Sequence, residues 1–129
     1  MELIEMLRNN KGSAILETAV MFMLIIVLIV GFMHLTNAVS IYAVAQTAAR
    51  EGAREYAVTN NRTRAINKAK TELELGRVDP AKARITAVAE GQERRMIVTI
   101  DYSIYLPFAG NHDITLQGGA TFRRVGGGW

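Results

Sequence analysis

A single carboxylate, Glu17, stands at the entrance of the apolar stretch KGSAILETAVMFMLIIVLIVGF, residues 11–32. A lone carboxylate costs about 2.5–3.5 kcal/mol at the centre of a membrane helix and less near its end. Two arrangements relieve that cost. Glu17 reaches water at the interface, or it meets a positive charge inside an assembly. A cut between Gly12 and Ser13 would create such a charge, because the freed Ser13 amine lies four residues before Glu17. In a packed bundle the amine of one subunit then pairs with Glu17 of its neighbour. Pairing at low dielectric offsets the desolvation penalty and fixes the axial register of neighbouring helices.

The remaining reactive side chains form no catalytic set. His34 ends the apolar run and reads as an interfacial polar residue. His112 neighbours Asp113 in an expected loop, without a nucleophile or further ligands at recognisable spacing. Gly118 and Gly119 precede no helix in a phosphate-binding pattern. Asp101 reads as an exposed strand residue. Arg94, Arg95, Arg123 and Arg124 read as solvated charge at one end or edge of a sheet, which discourages stray strand pairing. The 129 residues include no cysteine, which removes disulfides and cysteine-based zinc sites. The net charge of +3 is scattered, so no basic patch argues for nucleic acid. The expectation is a chain with no enzymatic activity, no metal and no cofactor.

These residues sit on a segment of membrane-spanning character. Residues 18–33 are strongly apolar, and adding 13–16 reaches the roughly 20 residues a bilayer crossing needs. Arg8 and Lys11 flank the run on its N-terminal side, whereas Arg50, Glu51, Arg54 and Glu55 beyond it are distant and balanced. The positive-inside rule therefore places the N-terminus in the cytoplasm and the C-terminal part across the membrane. Three readings are open: a secretory signal cut after Ala45, in the small-x-small stretch Ala43-Val44-Ala45, leaving an exported soluble domain; an unprocessed anchor whose head binds another envelope protein; and a protein processed after Gly12. The apolar run exceeds a usual signal h-region, and only the third reading gives Glu17 a partner.

Lys11-Gly12 followed by Ser13-Ala14-Ile15-Leu16-Glu17 resembles the type IV prepilin processing site. The later segment Gln46-Thr47-Ala48-Ala49-Arg50-Glu51-Gly52-Ala53-Arg54-Glu55 resembles the one that follows the membrane helix in TadE-like pseudopilins, minor components of the Tad (Flp) pilus system. Val78-Asp79-Pro80 before a strand and the C-terminal strand set also fit that family, although the resemblance is firmest over 11–57. It implies a membrane aspartyl prepilin peptidase that cuts after Gly12, a Glu17 that guides assembly, other pilins or pseudopilins as partners, and a location in the cytoplasmic (inner) membrane or an extracellular pilus. Ser13 replaces the phenylalanine common at that position in other type IV pilins, which leaves N-methylation open. Thr18 replaces the tyrosine typical of the short major Flp pilin. That difference and the chain length favour a minor pseudopilin.

Helical spacing continues past the apolar run. Ala38, Ile41, Tyr42, Ala45, Ala48, Ala49, Gly52 and Tyr56 recur every three or four residues, a stripe of mostly small side chains that permits close packing. Its bland role, cover for the chain's own sheet, outweighs a binding role. Glu51 and Arg54 are spaced to pair weakly. The spacing predicts a helix over 14–57, a break at 59–61, and a second helix over 61–75 capped by Asn60 or Asn61 and by Gly76. Asp79-Pro80 reads as a turn. Strands are expected at 84–89, at 96–106 ending at Pro107, and across 114–122, with loops at 90–94 and 108–112. The tail 125–129, including Trp129, has the composition of a flexible end. The organisation is a leader (1–12), a membrane helix (13–35) and an extracytoplasmic head (36–129). The fold class is α+β: a long helix running into a small head with a second helix and a three-stranded antiparallel sheet.

Overall fold

The computed structural model describes residues 2–106 and 109–125. The expected strand end at Pro107, the loop residue Phe108 and the tail at 126–129 with Trp129 lie outside the described residues. The first helix, α1, runs unbroken over Glu2–Thr59, about 87 Å at 1.5 Å per residue. It is longer than the apolar pattern predicts: the polar residues before Gly12 are helical too, because none of 2–11 is a proline or glycine. Thr18 Oγ1 and Thr36 Oγ1 donate to the Ala14 and Phe32 carbonyls at 2.8 and 2.9 Å, so neither hydroxyl interrupts the apolar segment.

The predicted break is where α1 stops. Asn60 takes φ +52, a conformation asparagine tolerates better than most residues. Asn61 then caps the second helix, α2 (Arg62–Leu75), its Oδ1 accepting from Arg64 N at 3.2 Å. Gly76 ends α2 but not in a left-handed conformation; Arg77 holds that position at φ +61. The reason for glycine at 76 is space. A Cβ there would collide with the Cγ1 and Cγ2 methyls of Val44, so α1 and the end of α2 meet closely at this glycine. A short 3-10 turn, Pro80–Lys82, is capped by Asp79 and leads into the sheet.

Three antiparallel strands follow in the order β1 (Ala83–Glu90), β2 (Glu93–Leu106) and β3 (Gly110–Arg123). The loops are shorter than the residue types suggest. Glu90 pairs with Glu93, leaving only Gly91 and Gln92 to turn, and Gly91 supplies the required positive φ of 56°. His112 lies on β3 opposite Ile104 rather than in a loop. Asp113 beside it is hydrogen-bonded to Ser103 across the same strand pair.

Alternation on β2 separates an inner face, with Met96, Val98 and Ile100 buried, from an outer one. The stripe on α1 covers this inner face as expected. Ala38, Ala45, Ala48, Ala49, Ala53 and Tyr56 are buried, and Gly52 lies where a Cβ would come within 3.0–3.2 Å of Met96, Ala69 and Ala65. The buried stripe differs from the expected one at two positions: Tyr42 is 47% exposed, while Ala53, absent from the predicted set, is fully buried. From α2, Ala65, Ala69 and Leu73 close the core. The expected Glu51–Arg54 pair does not form; Glu55 instead reaches Arg64 on α2 at 3.3 Å.

Arg94 corrects the reading of edge charge. It is only 6% exposed. Its Nε donates to Asn60 Oδ1 at 3.0 Å, and its Nη1 to the Gly91 and Glu93 carbonyls at 2.9 Å each. The guanidinium lies 5.5 Å from the Tyr56 ring centroid. One arginine thus ties the end of α1, the interhelical break and the β1–β2 turn together. Arg95, Arg123 and Arg124 are exposed, as expected. Arg94→Ala strands the Asn60 amide oxygen and the left-handed backbone it steadies. The expected loss is about 2–4 kcal/mol of head stability, since hydrogen bonds from charged donors contribute about 1.5–3 kcal/mol. Denaturant unfolding of the protein in micelles, compared with Arg95→Ala as an exposed control, measures it.

Candidate functional site

The predicted site residues all lie on α1, in two groups. Arg8, Lys11, Gly12, Ser13 and Glu17 occupy its first third and are exposed. Four residues of helical rise, about 6 Å, separate Ser13 from Glu17. Glu17 has no ion-pair partner among the described residues. Past it, Val20, Phe22, Leu24, Leu28, Phe32 and Met33 are between 54% and 71% exposed. The apolar helix therefore meets no cover from its own chain along most of its surface. Its length and composition suit a membrane crossing.

Gly12 differs from the packing glycines. A Cβ at Gly12 would meet nothing within 4 Å, whereas one at Gly52, Gly76 or Gly118 would strike neighbours. No fold requirement accounts for a glycine at 12. The same openness holds at Gly31.

In the second group, Ala45, Ala49 and Gly52 are packed against the head's own helix and sheet, and Ala38 is buried outside that core cluster. Here residue types alone missed a feature. A Cβ at Gly118 would come within 2.6 Å of Ala45 C and Gln46 N, so the α1 backbone lies directly on β3. One residue on, the Gln46 amide clasps Gly119: Nε2 donates to its carbonyl at 2.9 Å, and Oε1 accepts from its N–H at 3.2 Å. This amide occupies the backbone groups of an edge strand much as another strand would. The signal in the sequence was the Gly118-Gly119 pair inside a strand pattern, which marks close backbone approach.

The other sequence candidates do not converge. His34 and His112 lie on different elements, and no group of three or more metal-ligating side chains occurs among the described residues. His34 Nδ1 is buried without a hydrogen-bond partner. Asp101 is exposed and pairs with Arg84 at 3.7 Å. A groove of about 720 Å³ opens between Ile41, Val78 and the part of β2 around Tyr102, with both acidic and basic residues on its rim.

A helix apolar and long enough to cross a membrane runs into an α+β head and carries an exposed glycine–serine–glutamate series at its start, a class of architecture compatible with single-pass membrane anchoring. Residues 12–54 match the family model of TadE-like proteins. The chain carries a TadE-like segment and is consistent with a pilin-related protein. That match takes in Gly12, Ser13, Glu17, Gln46 and the small-residue stripe through Gly52; it does not extend to Val78-Asp79-Pro80 or the strands, where the sequence also suggested a likeness. No curated protein and no solved structure matches the chain.

Proposed function

We propose that this protein is a minor pilin or pseudopilin of a Tad (Flp) pilus system, cut by a prepilin peptidase between Gly12 and Ser13. The observation that carries this reading is the exposed Gly12-Ser13 junction, free of any packing role, at the start of a TadE-like segment. Residues 1–12 serve as the leader, 13–35 as the membrane helix and 36–129 as the head. Arg8 and Lys11 hold the leader on the cytoplasmic side of the inner membrane, so the head is extracytoplasmic. After processing, the Ser13 amine of one subunit and Glu17 of another pair as the chain joins a pilus used in adhesion or secretion. The role is structural; the chain performs no catalysis.

The continuity of α1 supports this reading over release after Ala45. Ala45 is fully buried against β3, and Ile41 before it also packs against the head's core. A cut there would remove part of the core.

Gly12→Leu tests the processing step without disturbing the fold, because the new side chain has open space. Co-expression with the matching prepilin peptidase should leave this variant at full length while the parent loses residues 1–12, a change resolved by intact mass. Equal trimming of both would remove the assigned cleavage site.

A further inference from the structure

Leu75 ends α2 in the open. It is 73% exposed, the most exposed of the large apolar side chains described in the head. The carboxylate before it, Glu74, is also exposed and makes no ion pair among the described residues. Single exposed leucines are common on protein surfaces. What sets this one apart is the surface a few residues further on.

Beyond Gly76 the chain enters the groove beside Ile41. Ile41, Val78 and Tyr102, all half-buried, give that groove apolar walls. Two acids and two bases also line it, and they are not equivalent. Asp79 is occupied in capping, its Oδ1 accepting from Ala81 N at 3.0 Å. Asp101 is held by Arg84 at 3.7 Å. Arg77 and Lys82 are exposed and make no ion pair among the described residues. The groove therefore offers apolar contact together with uncompensated positive charge. Its complement is an apolar side chain beside a carboxylate, which is what Glu74-Leu75 presents. Neither residue lines the groove of its own chain.

The heights also agree. Gly76 lies against Val44, and the groove lies against Ile41. Three residues of helix separate those levels, about 4.5 Å. Both lie beyond residue 35, where the membrane helix is proposed to end. Copies anchored through α1 in one membrane stand parallel, so surfaces that meet must share a height.

We propose that two copies of this chain, anchored side by side, dock head to head, with the Glu74-Leu75 end of α2 of each in the groove of the other. Leu75 packs on Ile41, Val78 and Tyr102 of the second copy, and Glu74 faces its Arg77 and Lys82. The donor and the groove adjoin in sequence, which suits a reciprocal contact about a two-fold axis along the bilayer normal. A small contact suffices because confinement to one membrane raises the effective concentration of the copies. The inference rests on the membrane-anchor reading of α1.

The test uses the full chain, which has no cysteine of its own. Two differently tagged copies are produced in the same bacterial cells, one with Thr71→Cys and the other with Ala81→Cys. Thr71 is exposed one turn before Leu75, and Ala81 is exposed at the groove. Membranes are treated with a short bismaleimide, and joined pairs bearing both tags are measured. They should exceed at least fivefold those formed when Thr86→Cys, on the exposed face of the sheet, replaces Ala81→Cys. Leu75→Asp in both copies should remove that excess. Glu74→Arg in both should do the same, and adding Arg77→Glu with Lys82→Glu should restore it. No excess over the Thr86→Cys pair, with both copies still resisting alkaline extraction from the membrane, overturns the inference and leaves the anchor standing. Joining of the Thr71→Cys copy to a different protein in place of the second copy also overturns it. So does an excess that survives Leu75→Asp and Glu74→Arg, or a loss that the charge reversal fails to restore, because the groove then does not hold α2. Release of the chain by alkaline extraction overturns the anchor reading and this inference together.

Discussion

Gly118→Ala is expected to destabilise the head by about 2–4 kcal/mol, while Gly119→Ala, one residue away, changes it by less than about 0.5 kcal/mol. At 118 the added methyl would lie 2.6–2.7 Å from Ala45 C, Gln46 N and Ala45 O. These are backbone atoms of a helix and cannot swing aside as a side chain would. Either α1 lifts off the sheet or β3 bows outward. Both movements also pull Gln46 from Gly119 and forfeit two hydrogen bonds worth about 0.5–1.5 kcal/mol each. At 119 the nearest atom to an added Cβ is Met96 O, at an ordinary 3.9 Å. Both positions are strand residues, so intrinsic propensity cancels in the comparison. Denaturant unfolding in micelles, followed by a head-specific probe, should separate the two variants. Similar stability for the pair would show that α1 does not lie on β3 at this point.

Glu17→Ala is expected to leave insertion and head stability unchanged and to reduce incorporation into the assembly by about 10- to 100-fold. Glu17 is exposed, so nothing in the chain's own fold depends on it. Removing a carboxylate from an apolar segment favours insertion. On the proposed role, what is lost is a charge-assisted pair across subunits, worth about 1.5–3 kcal/mol, and each 1.4 kcal/mol is about tenfold in an equilibrium constant. Glu17→Gln keeps the shape without the charge and should recover little of the loss. The measurement is the amount of this protein in sheared surface filaments relative to its amount in the membrane. Unchanged incorporation would remove Glu17 from the assembly mechanism.

Much of the fold was legible because it follows from repeating patterns. The spacing of small residues on α1 forecast the covered face, Asn60-Asn61 forecast the break, and alternation from Met96 to Leu106 forecast the central strand. Three features were not legible, for three reasons. The leader's polar residues have no apolar period, so nothing marked them as part of the same helix. The charge of Arg94 suggested solvent, yet it is buried among carbonyls, an amide oxygen and an aromatic face that come together only in three dimensions. Gly76 caps α2 as expected, but its second role, leaving space for Val44, a residue 32 positions away, had no signal in the sequence. The candidate site residues were nominated by a short linear motif, since Gly12, Ser13 and Glu17 lie within one and a half turns of helix, and they fall inside the TadE-like segment. The partners proposed for them belong to other chains, which one chain's sequence does not describe.

The central claim is that this chain is processed as a prepilin. The most direct test is intact mass together with N-terminal sequencing of the protein from the membranes of cells that make the whole apparatus. The account predicts a mature chain beginning Ser13-Ala14-Ile15-Leu16-Glu17. A chain beginning at Gln46, or one that keeps residues 1–12 throughout although the peptidase processes other pilins in the same cells, would contradict it.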